Sequence, residues 1–191
     1  MTDFPPAFCP YCGAELRGED PRYRCPDCER AVFHSPAVAA GVVVVDRGAS
    51  GDDRPGCENT TAETRVLLGE RGEAPAEGRF STPAGHVDFG ESPRTTAARE
   101  LEEEAGVYVD PTDLRLLEAR DLEPVVPEPG LTDEKQVICV DYRVSLIETA
   151  GKQTAGDDLA GLRWVTESEF DAVEWAYTDD EEVCRAAIDQ R

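Results

Sequence analysis

One segment restricts the possible folds more than any other. From Ser92 to Gly106 the chain specifies a single helix with both ends marked. Ser92 offers a side-chain oxygen to the free N–H groups of a first turn, Pro93 suits the first helical position, and Gly106 is a natural terminator. Ala97, Leu101 and Ala105 recur every four residues and form a narrow apolar stripe that must pack on another layer. Glu100, Glu103 and Glu104 fall at i, i+3 and i+4 and are expected to share a different face. Carboxylates placed in this way repel one another, and late in a helix the macrodipole disfavours them as well. The expected helix therefore lays its alanine and leucine stripe on a sheet and turns its glutamates toward a cation.

The remaining periodicity supplies that sheet. Strands are expected at Ala39–Val45, Arg65–Leu68, Asp113–Ala119, Gln136–Ile147 and Gly161–Val165, with a strand and turn over Phe80–Val87. Thr166–Trp175 and Asp179–Ile188 read as helices. Residues 46–64, rich in Gly, Asp, Asn and Thr, read as a long exposed loop, and the proline-rich stretch 120–135 as a mobile one. Strands alternating with two or three helices imply an α/β fold, a mixed sheet covered on both faces.

Carboxylate oxygens are hard ligands suited to Mg²⁺, which keeps some of its waters and also binds phosphates. Arg99 can hold a neighbouring carboxylate in position, with Glu91 two turns earlier as its partner. The turn before the helix brings the carbonyls of Ala84 and Gly85 close enough to add a ligand. A glutamate run by itself serves equally well as the solvated face of an acidic protein.

The complete spacing separates these two readings. Gly85, Glu91, Arg99, Glu100, Leu101, Glu103, Glu104, Gly106 and Val107 fill nine defined positions over twenty-three residues. In that order they resemble the Nudix box at every defined position. Pro83-Ala84-Gly85-His86 looks like the usual approach to the box, and Leu162-Arg163-Trp164-Val165 before an acidic helix resembles the end of the Nudix fold. The resemblance covers about Pro36 to the C-terminus. It implies an α/β/α sandwich with a mixed sheet, and Mg²⁺- or Mn²⁺-dependent hydrolysis of a nucleoside diphosphate linked to another group. It implies Glu100 and Glu104 as metal ligands, Glu103 as ligand or general base, and Glu91 with Arg99 as support. Ala84 would add a carbonyl ligand, while Gly85 and His86 would contact phosphate. Acids outside the box often contribute in this family; Glu123, Glu128 and Glu148 are the candidates here. Members are often homodimers, although no interface pattern stands out in this sequence.

Cys9-Pro10-Tyr11-Cys12 and Cys25-Pro26-Asp27-Cys28 are two C-x-x-C pairs twelve residues apart. Four thiolates at this spacing suit a closed tetrahedral Zn²⁺ site, which leaves no open position and is therefore structural. Gly13 follows the first pair, where a knuckle turn needs it. The segment looks like a zinc ribbon, so the expected organisation is a ribbon over residues 1–34 and a Nudix domain over 35–191. Cys139 is expected in the core. Cys57, Cys184 and the two histidines, His34 and His86, carry no pattern of their own.

A ribbon before a Nudix domain resembles the NAD(H) diphosphatases and their ADP-ribose-hydrolysing relatives, as does Phe33-His34-Ser35-Pro36-Ala37-Val38. Those NAD(H) enzymes carry Ser-Gln-Pro-Trp-Pro-Phe-Pro after the box. Tyr108 to Leu131 has prolines but no such stretch, which leaves ADP-ribose-like substrates at least as well supported. Oxidised nucleoside triphosphates, and a sensing role without catalysis, are the alternatives. An intact acidic set argues against pure sensing.

Charge narrows the partners. Forty-one acidic against nineteen basic residues give a formal charge of −22, a surface that repels nucleic acid and anionic membranes. Only Lys135 and Lys152 are lysines. Abundant acid with so little lysine resembles the proteins of extreme halophiles, haloarchaea among them, where salt screens the self-repulsion. The N-terminal residues lack the basic and apolar regions of an export signal, and no apolar run is long enough to span a bilayer. A cytoplasmic protein is expected, with its seven cysteines as thiols or metal ligands.

Overall fold

The computed structural model describes residues 6–48, 63–74, 76–122 and 136–190. A small antiparallel sheet comes first, from β1 (Arg17–Glu19), β2 (Arg22–Arg24) and β3 (Ala31–Phe33). Then follow β4 (Ala37–Asp46), β5 (Arg65–Arg71), β6 (Phe80–Ser81), β7 (Ala84–His86), α1 (Pro93–Ala105), β8 (Val107–Tyr108), β9 (Arg115–Leu122) and β10 (Val137–Ser145). The last elements are β11 (Ala150–Gly151), β12 (Leu159–Thr166) and α2 (Asp180–Asp189). The main sheet runs β12-β5-β4-β10-β9, with β6 on β5 and β7 on β4. β4 and β10 are parallel and the other pairings are antiparallel, so the sheet is mixed as expected.

Two apolar layers cover it. On one face, Ala97, Leu101 and Ala105 of α1 pack on Ala40, Val42, Val44, Leu67 and Tyr142. On the other, Val183, Cys184 and Ala187 of α2 join Val43, Val45, Val66, Leu68 and Phe170. Buried on both faces, β4 reads as a continuous valine run rather than an alternation. The result is the α/β/α sandwich. Cys139 lies in the interior, 2% exposed.

Three expected boundaries shift. The strand expected from Asp113 begins at Arg115, because Asp110 caps a 3₁₀ turn over Pro111–Asp113. Gln136–Ile147 ends as a strand at Ser145 and turns into a 3₁₀ segment, Leu146–Glu148. Thr166–Trp175 is a 3₁₀ segment over Glu167–Ala172 rather than a longer helix. Its continuation is diverted: Phe80 donates to the carbonyl of Glu174 and accepts from Ala176, which draws that backbone out straight beside β6. Residues 49–62 and 123–135, hence most of both expected loops and with them Cys57, Glu123 and Glu128, lie outside the described residues. Among the described residues no helix is long and apolar enough to cross a membrane.

One feature of the sheet positions the segment before α1. β4 pairs at its end with β5 (Val45 with Val66), but at its start with β7 (Gly41 with Ala84, Ala40 with Gly85, Ala39 with His86). β5 splays away and β7 enters the gap. Gly41 allows this: a Cβ there would stand 3.1 Å from that of Ala84 and 3.0 Å from Asp141 Oδ1. The chain leaves β7 and enters α1 directly alongside it.

Candidate functional site

α1 begins and ends as its sequence dictates. Ser92 caps it, its hydroxyl accepting from the N–H of Thr95 at 3.2 Å. Gly106 closes it in the left-handed region at φ 65°. The glutamates are divided, however, rather than set together on an outward face. Glu100 and Glu104 are buried, 8% and 7% exposed, whereas the side chain of Glu103 is 48% exposed. One turn apart, Glu100 and Glu104 tuck beneath β7. The N–H of Ala84 donates to Glu104 Oε2 at 3.0 Å. A Cβ on Gly85 would lie 2.1 Å from Glu100 Oε1, so any larger residue there would displace that carboxylate from its present seat.

Arg99 gathers the others. Its Nη1 lies 2.7 Å from Glu100 Oε1 and 2.8 Å from Glu103 Oε2, and its Nη2 3.3 Å from Glu91 Oε2. Nη2 also donates to the carbonyl of His86 at 3.3 Å, tying the β7 turn to the helix. The Thr96 hydroxyl donates to Glu91 Oε2 at 2.8 Å, and that bond, followed by Arg99, holds the Glu91 carboxyl below its ordinary range. The pairing of Glu91 with Arg99 was expected from sequence; the contribution of Thr96 was not. Glu148, a candidate from composition, caps its own 3₁₀ turn and approaches Arg115 at 3.8 Å.

The electrostatics leave this site short of positive charge. Burial raises the Glu100 carboxyl against the pull of Arg99. Burial pushes Glu104 up to about 8, the Ala84 N–H opposing and the charge of Glu100 adding to the rise. Arg99 contacts Glu91, Glu100 and Glu103, three carboxylates for one guanidinium; Glu104 is not among them, and the charge of Arg71 opposes its rise without overcoming burial. Two desolvated carboxylates with hard oxygens beside a backbone turn suit a divalent cation. Glu100, Glu103 and Glu104 do not close into one tight cluster here, since the guanidinium lies between Glu100 and Glu103.

Among the described residues, one group of three or more ligating side chains brings its donor atoms within 4.8 Å of one another: Cys9, Cys12, Cys25 and Cys28. Cys9 and Cys28 Sγ are 3.7 Å apart and Cys12 and Cys25 Sγ 3.4 Å. A tetrahedron of sulfurs with Zn–S bonds of about 2.3 Å has edges of about 3.8 Å, so the four thiols fit that ion. The N–H of Cys28 donates to Cys25 Sγ at 3.4 Å and is the first cause of a thiol pKa lowered to about 6. Each C-x-x-C pair is followed by a left-handed residue whose N–H returns to the first cysteine's carbonyl: Gly13 at φ 77°, as expected, and Glu29 at φ 60°.

A third polar group was invisible in the sequence. Arg120 on β9 lies 2.8 Å from Asp141 on β10 and 2.7 Å from Asp180 at the start of α2. The aspartate side chains are 1% and 2% exposed. Asp180 rises to about 6, burial outweighing Arg120. Each of these residues looks like one more surface charge in an acidic chain, and only the strand register brings them together.

The α/β/α sandwich thus carries a buried carboxylate pair beneath a glycine turn. The chain belongs to the Nudix family: the NUDIX domain model matches residues 54–186. The NAD-capped RNA hydrolase NudC of Deinococcus radiodurans is 33% identical over 174 residues, covering 82% of this chain. The chain spans 58% of that relative's length. A NUDIX hydrolase from Nitrosomonas europaea is 26% identical with a TM-score of 0.58, covering 96% of this chain and 91% of that one. The NUDIX domain of Shewanella oneidensis NrtR, solved with ADP ribose, matches in fold, with a TM-score of 0.60 at 16% identity over 82% of this chain and 88% of that one.

Proposed function

We propose that this chain hydrolyses the diphosphate bond of a nucleoside diphosphate linked to another moiety, of the ADP-ribose or NAD(H) kind. The nucleotide is either free or, as the name of the Deinococcus relative suggests, the 5′ end of an RNA. The observation that carries this reading is the buried Glu100–Glu104 pair seated against Gly85, with one guanidinium shared among its neighbours. Glu100 and Glu104, with the carbonyl of Ala84, hold a divalent cation, Mg²⁺ or Mn²⁺. That cation supplies polarisation of phosphoryl oxygens and makes an attacking water more acidic. Glu103, half exposed and closest to solvent of the three, is a further ligand or accepts the proton of the water. Arg99 and Glu91 are positioning residues that fix the glutamates and the β7 turn, and Gly85 and His86 face the phosphates.

The four cysteines hold a structural Zn²⁺ in a ribbon over residues 1–34, followed by the Nudix domain over 35–191. The charge of −22 suits a protein working in concentrated salt. The test is product analysis with Mg²⁺ or Mn²⁺ in molar KCl, over NADH, NAD⁺, ADP-ribose and normal and oxidised nucleoside triphosphates. Metal-dependent release of AMP from ADP-ribose or NADH is expected. Turnover confined to oxidised triphosphates would replace the substrate assignment, and folded, metal-loaded protein inert on the whole panel would favour a sensor.

A further inference from the structure

The main sheet divides beside the buried glutamates. β4 and β5 pair at Val45–Val66 and Asp46–Arg65. Continuing that register puts Arg71, the last residue of β5, level with Ala40, which pairs instead with Gly85 of β7. β6 stays with β5 and β7 with β4, joined by Thr82 and Pro83, so a cleft opens with Gly85 on one side and Arg71 on the other. The backbone of Arg71 is held at both polar groups: its N–H donates to the carbonyl of Arg79 at 2.9 Å and its carbonyl accepts from Gly78 at 2.8 Å.

The backbone that leaves its helical course after Ala172 supplies a further member. Phe80 holds residues 174 and 176 beside β6, and Tyr177 follows directly at the same end of the sheet. The Arg71 guanidinium lies over the Tyr177 ring, 5.9 Å from its centroid, within the range at which a ring face attracts a cation. The charges register the same proximity. Arg71 opposes the rise of Glu104, and Tyr177, raised first by burial, is acted on by both Arg71 and Glu104.

The supply of positive charge decides what this cleft can hold. Arg99 is committed to Glu91, Glu100 and Glu103. Asp157 adds negative charge at Glu100 and Asp158 at Glu104, and the carbonyl of Asp158 is tied to the same rim by the N–H of Gly72 at 2.7 Å. The rim is therefore acidic, and a diphosphate would bring more negative charge to it. A divalent cation on the carboxylates offsets part of that charge, and the guanidinium that reaches Glu104 stands where it can offset more.

We propose that Arg71 contacts the substrate, its guanidinium donating to phosphoryl oxygens of the diphosphate across the cleft from Gly85, and that the Tyr177 ring is a positioning group that keeps the guanidinium there. A planar guanidinium offers parallel N–H donors to a phosphoryl group, a geometry that an ammonium lacks. The assignment rests on the diphosphate reading above and deepens it, naming a contact to the phosphates from outside the segment Gly85–Val107.

The test separates diphosphate binding from metal binding. Full-length, zinc-loaded protein is titrated by calorimetry with α,β-methylene-ADP, which cannot be hydrolysed at the bridge, at saturating Mn²⁺. Mn²⁺ alone is titrated separately, with the free ion read by electron paramagnetic resonance. Arg71→Met should weaken binding of the analogue about ten- to a hundredfold, the loss of a charge-assisted hydrogen bond. The same variant should bind Mn²⁺ alone as well as wild type or more tightly, because a positive charge beside Glu104 is gone. A merely structural role would weaken both together. Arg71→Lys should recover part of the loss, Tyr177→Phe should bind the analogue as wild type does, and Tyr177→Leu about fivefold more weakly. Binding of the analogue by Arg71→Met within twofold of wild type, or a parallel loss of Mn²⁺ affinity, would overturn the assignment while leaving the diphosphate reading intact. Wild-type protein that binds Mn²⁺ but not the analogue, and hydrolyses no diphosphate, would overturn both.

Discussion

Replacing Gly85 with alanine is the sharpest probe of the site. A Cβ at this position would stand 2.1 Å from Glu100 Oε1 and 2.2 Å from its Cδ, where ordinary contact begins near 3.4 Å. The carboxyl must therefore retreat by about 1 Å or more, and a reacting group misplaced by that distance costs about a hundredfold in rate. A hundredfold corresponds to about 2.7 kcal/mol of transition-state stabilisation. Initial rates of AMP release at saturating Mg²⁺ are the assay, with a melting curve to show that α1 and the sheet persist. Glu100→Asp provides the internal check, because a shorter side chain makes room for the new methyl group. The two substitutions together should cost much less than the sum of their separate effects. Turnover by Gly85→Ala within threefold of wild type, or strict additivity with Glu100→Asp, would refute the claim that this contact seats the carboxylate.

Other expectations follow from the same geometry. Glu104→Gln should lower kcat about a hundredfold or more while leaving the melting temperature equal or higher, since it removes a charge that burial already disfavours; an active variant would dismiss Glu104 from the site. Metal analysis of reduced protein should find about one zinc per chain, and chelation should unfold residues 6–33 as read by proteolysis; protection that survives chelation would argue against a structural metal. Arg120→Met should cost about 3–5 kcal/mol, or about 6–20 °C, by leaving Asp141 and Asp180 buried without a partner. Because the folded-state pKa of Asp180 lies above the ordinary aspartate value, its favourable contribution belongs to the neutral form and is lost as pH rises through about 6; the Arg120→Met deficit should therefore shrink between pH 8 and pH 5, and a deficit independent of pH would count against the triad. The melting temperature should climb from low to molar KCl, and a flat profile would remove the high-salt assignment.

What the sequence disclosed was local and periodic. Both ends of α1 were legible because Ser92, Pro93 and Gly106 act within one turn. The cysteine cluster was legible because C-x-x-C spacing is itself a geometry. The division of the glutamates was not: helical spacing places Glu100 and Glu104 near Glu103, but their burial depends on how closely β7 approaches, and that depends on Gly41 accepting Ala84 across the sheet. Thr96 reads as an ordinary helical residue until Glu91 arrives beside it. Arg120, Asp141 and Asp180 lie on three separate elements, and no one-dimensional pattern links them. Thr166–Trp175 failed as a helix for the same reason, since the pull of Phe80 on that backbone comes from a strand some ninety residues earlier.

The parallel pairing of β4 with β10 has a consequence for how the chain assembles. Residue 37 meets residue 137, so the central strand waits for most of the domain before its longest pairing can form. Long-range pairing of this kind is slow, because loop closure must precede any gain from contact. The cysteine module needs only the residues around it, with β1 and β2 joined by a tight turn and β2 and β3 by the short segment that carries Cys25 and Cys28, and can close while β4 is still unpartnered. During that interval Val42-Val43-Val44-Val45 is an unprotected β-branched run, the kind of segment that recruits other chains. Fragments ending before Val137 would carry this run without its partner, and their yield should fall to aggregation even with the cysteine module intact.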